Sequence, residues 1–240
     1  MPRTRVKICG ITRPEDAALA AELGVDAIGL NFVGGPRQIS YAWAAEIIDD
    51  LPALTTVVGL VTAPSRENPN SPTIRELQGY DQRDYSLSIR VFQTYGDALL
   101  TLHGLLETDY RIAFHYWPVV HVQSRQFAAK ITAFLGKQDR PLNRIRPQAV
   151  ILDTASQSKL GGTGQSFDWN WIAEARAAGE LEGLPPIILA GGLNPDNVAE
   201  AIRIARPWAV DVSSGVEVAG KPGIKDPAKM RDFIQAAQGA

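Results

Sequence analysis

The chain holds one cysteine, Cys9, two residues after Lys7 in the run Lys7-Ile8-Cys9-Gly10. Side chains alternate along an extended segment, so Lys7 and Cys9 share one face and Val6 and Ile8 the other. A thiol with an ammonium beside it is a candidate general base, because the positive charge favours the thiolate. The plainer alternative is a buried cysteine acting as a small hydrophobe. Far along the chain, Asp153 ends the apolar run Ile151-Leu152-Asp153. A carboxyl at such an edge can serve as a general acid where its surroundings raise its pKa, and otherwise is a turn or capping aspartate.

Three glycine-rich stretches offer bare backbone amides: Gly161-Gly162-Thr163-Gly164, Ala190-Gly191-Gly192 and Ser213-Ser214-Gly215. The first reads as a lid or an anion-facing loop. The other two read as a phosphate cradle or as ordinary tight turns. Arg37, in Gly35-Pro36-Arg37-Gln38, can grip a carboxylate with two parallel bonds, or is a solvated arginine near a helix start. His103, His115 and His121 lack metal-ligand spacing, and Asp16, Glu22, Asp49 and Asp50 read as solvated helix charges. No nucleophilic triad, Walker loop or dinucleotide fingerprint stands out, so neither a metal nor a cofactor is expected.

Something must hold these groups together. Eight apolar runs read as strands: 5–9, 26–31, 56–61, 88–94, 110–116, 148–153, 186–190 and 208–212. Most are rich in branched residues, as buried parallel strands are. Helix signals lie between them. Thr12 and Glu15 have the spacing of a capping box, and Ser71, Asn194 and Asp226 each precede a proline at a first helical position. Further helices are expected over 40–50, 97–107, 124–135 and 168–178. Eight βα units in 240 residues predict an α/β fold, a single closed (βα)8 TIM barrel spanning 1–240. The irregular segments are 64–84 and 136–147, and neither reads as a domain boundary. In such barrels chemistry gathers where strands run into the following helices, and phosphate commonly binds after the seventh and eighth strands. Closure sets the last strand beside the first, so Lys7 is expected to pair with Asp211 inside the barrel.

Hydrophobic residues make up 45% and charged residues 21% of the chain, a globular balance with material for a core. A formal charge of −2 provides no general attraction to nucleic acid or anionic lipid. One cysteine excludes an internal disulfide framework. No apolar run is long enough to span a membrane, and no signal segment precedes the first strand. A cytoplasmic protein binding a small phosphorylated molecule, as monomer or homodimer and without nucleic acid or membrane, is the expectation.

Six stretches together resemble phosphoribosylanthranilate isomerase. They are Lys7-Ile8-Cys9-Gly10-Ile11-Thr12, Pro36-Arg37-Gln38-Ile39-Ser40, Leu152-Asp153-Thr154, Gly161 to Gly164 with Phe167-Asp168-Trp169, Ala190-Gly191-Gly192-Leu193-Asn194-Pro195, and Val210-Asp211-Val212-Ser213-Ser214-Gly215-Val216-Glu217. That family is a cofactor-free (βα)8 barrel of tryptophan biosynthesis that rearranges an aminoaldose phosphate to an aminoketose phosphate. The resemblance implies that Asp153 protonates the ribose ring oxygen and that Cys9 takes the proton from the sugar's second carbon. It also implies that Arg37 holds the anthranilate carboxylate, while Gly192, Ser213, Ser214 and Gly215 cradle phosphate. One departure stands out: Gln93-Thr94-Tyr95-Gly96 puts Tyr95 where the family carries an active-site histidine. Two other readings are a related aminoaldose-phosphate isomerase and a non-catalytic phosphosugar-binding barrel. Cys9 speaks against the histidine-pathway relative, whose acid–base pair is two aspartates.

Overall fold

The structure is a computed structural model that describes residues 3–62, 87, 89–95, 115–136, 147–154 and 166–240. Its strands are β1 (Arg5–Cys9), β2 (Ala27–Asn31), β3 (Thr56–Thr62), β4 (Val91–Tyr95), β5 (His115–Val122), β6 (Val150–Thr154), β7 (Ile187–Leu189) and β8 (Ala209–Val212). They pair in sequence order, all parallel, and β8 closes onto β1, so the sheet is a closed eight-stranded barrel. The described helices are α1 (Pro14–Glu22), α2 (Tyr41–Asp49), α3 (Phe127–Gly136), α4 (Asn170–Ala177), α5 (Val198–Ala205) and α6 (Pro227–Gln238). Among the described residues no helix is long and apolar enough to cross a membrane.

Strand alternation sorts the side chains. Val6, Ile8, Ile28, Leu30, Leu152, Leu189, Val210 and Val212 face outward and join Ala17, Ala20, Ile47, Ile172, Ala201 and Phe233 from the helices in the main core. Each fully buried branched side chain adds about 1.5–3 kcal/mol of transfer free energy, so this layer clamps the helices to the sheet. The inward set stacks along the barrel axis. Ala27, Val58, Trp117, Ala149, Ile151, Ile188 and Ala209 cluster together. Lys7, Gln93 and Asp211 form a buried polar layer, and Cys9, Val33 and Leu60 make a separate apolar cluster. The register Lys7↔Asp211 between β1 and β8 puts those two side chains side by side.

Several expected boundaries move. The fifth strand, expected over 110–116, runs from His115 to Val122. Pro118 reads as a strand breaker for want of an N–H, yet here it sits where pairing changes over. Residues 115–118 pair with β4 and 119–122 with β6, so the missing donor falls at the end of one ladder. The capping box at Thr12 does not form: Arg13 occupies the cap position without a capping side-chain bond, and the Thr12 hydroxyl donates to the Gly223 carbonyl at 2.6 Å. Asp226 caps α6 as expected, accepting from Ala228 and Lys229 amides. Asn194 instead accepts from the Asp196 and Asn197 amides, capping a turn that precedes α5 by three residues. The helix over 97–107, the irregular segment 64–84, Ser71, His103 and the glycine run with Gly162 lie outside the described residues.

Candidate active site

One cavity opens where the strands end, lined by Cys9, Gly10, Arg37, Leu60, Gln93, Tyr95, Asp153, Gly191, Gly192, Asp211, Ser213, Ser214 and Gly215 among others. It encloses about 860 Å³, mouth included. Every described residue singled out from the sequence as a site candidate lines it except Lys7, which lies one layer deeper. Cys9 enters from β1 and Asp153 from β6, three strands apart around the ring through β8 and β7.

Lys7 is buried, and its Nζ donates to both Asp211 carboxylate oxygens at 2.9 Å and to Gln93 Oε1 at 3.0 Å. Burial alone pulls the ammonium's pKa down; the Asp211 carboxylate, with a smaller contribution from Cys9, reverses this and raises it. The charged pair is thus self-contained. Its ammonium also lies close to the thiol: both Cys9 Sγ and Lys7 Nζ come within 3.2 Å of the point where a Cβ on Gly29 would sit. A side chain at Gly29 would meet Cys9 Sγ at 2.8 Å, so only glycine leaves room for the thiol. Burial raises the Cys9 pKa, and Lys7 works against that rise without cancelling it.

Asp153 is half-buried, with Oδ1 accepting from the Thr154 amide at 2.7 Å. Burial raises its pKa, partly offset by His121 on β5. A carboxyl held toward its protonated form is suited to giving a proton. Gly191 backs onto it: a Cβ there would lie 2.7 Å from Asp153 Oδ1, and its φ of +84° is one that glycine adopts freely. The loop after β7 therefore passes right against the acid. Gly192 also has positive φ, and its carbonyl accepts from Asn197 Nδ2 at 3.0 Å. The single turn Ser214–Val216 follows β8 and brings Ser213, Ser214 and Gly215 to the same rim.

Arg37 lines the cavity, but the two-bond grip expected for a substrate is already taken. Its Nε and Nη2 each donate to Glu217 at 2.7 Å. Glu217 accepts in turn from Lys225 Nζ at 3.0 Å and the Gly223 amide at 3.0 Å. Burial opposes the charged carboxylate, yet Arg37 and Lys225 outweigh it and hold the Glu217 pKa below its usual range. Lys225, wholly buried, also donates to the carbonyls of Cys9 and Ser213. It thereby ties the end of β1 to the end of β8. Asp16, expected in solvent, is buried: it pairs with Arg13 and accepts from the Lys225 amide at 3.0 Å. The segment entering α6 covers the start of α1, a long-range contact that helix periodicity does not register.

Lys225 and Gly29 were not singled out from the sequence, and Glu217 and Gln93 stood in the family-like stretches without a role. Gly29 had a signal, being an inward-facing glycine amid apolar strand residues and level with Cys9. The Glu217–Lys225 pair had none beyond two charges flanking a turn.

Several known isomerases are similar to this chain along its whole length. The family described as N-(5'phosphoribosyl)anthranilate (PRA) isomerase matches residues 6–236. The N-(5'-phosphoribosyl)anthranilate isomerase of Geotalea uraniireducens is 38% identical, over 98% of this chain and 99% of that protein. That of Trichlorobacter lovleyi is 41% identical over 98% of each. The crystal structure of phosphoribosyl anthranilate isomerase from Thermotoga maritima superposes with a TM-score of 0.74 at 31% identity, covering 99% of this chain and all of that one. Another isomerase structure, solved with reduced 1-(o-carboxyphenylamino)-1-deoxyribulose 5-phosphate, has a TM-score of 0.71 at 30% identity, with 99% and 100% coverage. With a barrel closed in strand order and relatives matched along their full length, the chain belongs to the N-(5'-phosphoribosyl)anthranilate isomerase family.

Proposed function

We infer that the protein isomerises N-(5-phosphoribosyl)anthranilate to 1-(o-carboxyphenylamino)-1-deoxyribulose 5-phosphate, a step of tryptophan biosynthesis. The observation that carries this reading is the single cavity shared by Cys9 and Asp153, with two glycine-containing loops on its β7–β8 rim. The phosphate rests on Gly191, Gly192, Ser213, Ser214 and Gly215, where backbone amides and hydroxyls meet an anion. Gly162 belongs to the same binding set on the sequence pattern.

Asp153, in its protonated form, gives its proton to the ribose ring oxygen. The C1–O bond breaks, the anthranilate nitrogen supplies its lone pair, and an open-chain iminium forms. The Cys9 thiolate then takes the proton on the sugar's second carbon. The electrons of that C–H bond move to the C1–C2 position and neutralise the iminium, leaving an enolamine. Tautomerisation moves the enol proton to C1 and produces the ketone. No net oxidation occurs, and the protons lent by Asp153 and taken by Cys9 balance over a turnover. Lys7, with its countercharge on Asp211, offsets part of the cost of a buried thiolate. Arg37 meets the anthranilate carboxylate with its remaining nitrogen, Nη1, because Glu217 holds the opposite edge.

The chemistry is that of a small molecule in one barrel domain, in the cytoplasm. The oligomeric state follows one of two forms seen among relatives, for which a dimeric isomerase and monomers derived from it have been solved. The test is complementation of a tryptophan auxotroph lacking the isomerase, followed by assay of C9S and D153N. Each substitution is expected to lower kcat/KM by about 10²–10⁴. If the unsubstituted protein neither complements nor turns over the substrate while phosphate affinity persists, it is a binding barrel and the reading fails; if it is active and neither substitution lowers kcat/KM, the roles of Cys9 and Asp153 fall.

A further inference from the structure

The ladder between β1 and β8 stops one residue short of two positions that the chemistry needs. Its last pair is Ile8↔Val212, so Cys9 and Ser213, the next residues along, lie beyond it. On its other side Cys9 is still in register, opposite Gly29 of β2. Toward β8 a side chain continues the connection. The Lys225 ammonium donates to the Cys9 carbonyl at 2.7 Å and to the Ser213 carbonyl at 3.0 Å, bridging the two strand ends.

An ammonium has three donors and no acceptor. The third bond, at 3.0 Å, goes to Glu217 Oε1, which leaves no N–H of Lys225 for a ligand. The side chain is wholly buried and is not part of the cavity lining. It is also costly to keep there: burial pulls its pKa down, and Glu217 restores it only in part. An apolar side chain would fill the same space without that cost. What lysine supplies in return is a cation that grips both carbonyls from behind the cavity.

The grip is anchored. The Lys225 amide donates to Asp16 at 3.0 Å, and Arg13 Nε holds Asp16 at 2.9 Å. Two residues earlier, the Gly223 amide donates to Glu217 at 3.0 Å, and the Gly223 carbonyl accepts from the Thr12 hydroxyl at 2.6 Å. The backbone that carries Lys225 is thus fastened to the start of α1 and to the turn after β8.

We propose that Lys225 is a positioning residue: it sets the spacing between the Cys9 backbone and the Ser213 turn, so that a phosphate resting on that turn brings the sugar's second carbon to the thiolate. The proposal rests on the isomerase reading and adds to it a residue that touches neither the substrate nor the reacting atoms. In the substrate a fixed run of bonds separates the phosphate from that carbon, so the turn and the thiol must keep a matching distance. A misplacement of about 1 Å costs on the order of a hundredfold in rate while the phosphate still binds.

Three measurements on K225M test this role: steady-state kinetics with N-(5-phosphoribosyl)anthranilate, competitive inhibition by inorganic phosphate, and alkylation of Cys9 by iodoacetamide against pH. The kcat is expected to fall roughly tenfold to a hundredfold, beyond any loss that a shift in the alkylation pKa explains. KM, the phosphate inhibition constant and the limiting alkylation rate at high pH are each expected to stay within a few-fold of the unsubstituted protein. Both ends then work, but no longer together. A residue that merely held the fold would move all of these in step. An unchanged kcat overturns the assignment, as does a phosphate affinity or limiting alkylation rate that falls as far as kcat. All assays run below the lower of the two melting temperatures. K225Q, with a shorter side chain unable to span both carbonyls, is expected to show the same split and carries the test if K225M does not fold. If the unsubstituted protein turns over no substrate, the isomerase reading fails, and this role falls with it.

Discussion

Removing the charged pair beneath the thiol, in the double variant K7M/D211N, is expected to raise the Cys9 pKa by about one unit. The double change avoids stranding a buried charge, which would cost about 3–5 kcal/mol and confound the reading. The magnitude follows from geometry. Lys7 Nζ and the thiol both crowd the space over Gly29, whereas the Asp211 carboxylate lies a further 2.9 Å beyond the ammonium. With the positive end ~4–6 Å from the thiol, the negative end up to ~3 Å farther and an effective dielectric of ~20, the pair favours the thiolate by roughly 1–2 kcal/mol. One pKa unit corresponds to about 1.4 kcal/mol, so the expected rise is about one unit. Because Cys9 is the only cysteine, the rate of its alkylation by iodoacetamide against pH reads the thiol directly.

The same variant tests how the two groups share the pH profile. Burial holds the thiol above its ordinary pKa, while Asp153 is raised from the lower carboxyl range and stays the stronger acid. On the roles proposed for Cys9 and Asp153, the productive form has thiolate and neutral carboxyl together, the less populated of the two singly protonated arrangements. As pH rises, kcat/KM climbs while the thiolate fraction grows. It levels once Asp153 begins to ionise and falls once the thiolate is complete. The acidic limb therefore reports Asp153 and the alkaline limb reports Cys9. In K7M/D211N the alkaline limb should move up with the alkylation pKa, and the plateau should drop roughly tenfold per unit of that move. An unchanged or lowered thiol pKa, or a shift confined to the acidic limb, refutes this account.

Three further outcomes follow. G29A puts a methyl group 2.8 Å from Cys9 Sγ, so the thiol must leave its place; steady-state assay should show at least a tenfold loss in kcat/KM and slower alkylation. K225M leaves Glu217 held by Arg37 and the Gly223 amide but takes the donor from the carbonyls of Cys9 and Ser213, and urea unfolding should register a loss of about 1–3 kcal/mol for each carbonyl left unpaired. D226A removes the cap that accepts from Ala228 and Lys229, whose side chain is not part of the cavity lining, and should cost about 1 kcal/mol of stability with kcat/KM unchanged.

The parts of the fold that were legible in the sequence are those dictated locally. Alternation alone put Lys7, Cys9 and Asp211 on the inner face of their strands, since a one-residue slip would send Ile8 and Val210 into the polar layer. β1 runs from Arg5 to Cys9 as read, because its apolar face and its glycine stop are contiguous. β5 runs over His115–Val122 and not 110–116, and its Pro118 is accommodated because the pairing partner changes there, which no local pattern carries. Thr12 looked like a cap and instead binds a carbonyl 211 residues away. A short hydroxyl side chain obeys whichever partner tertiary contact brings near.

The same reasoning explains why Arg37 was only half legible. Its place after β2 marks it as a cation at the cavity, but its orientation is set by Glu217, 180 residues on. Counting charge makes the arrangement intelligible. Arg37 and Glu217 alone would cancel and leave nothing to hold an anion. Lys225, buried behind Glu217, restores one net positive charge to the three, and Arg37 is the member of the cluster that lines the cavity. A carboxylate entering the cavity at Arg37 would therefore meet a single fixed charge whose guanidinium is held on its far edge by Glu217. Rigidity of this kind suits Arg better than Lys, because the planar fork can be gripped on one edge while another nitrogen remains exposed to the ligand.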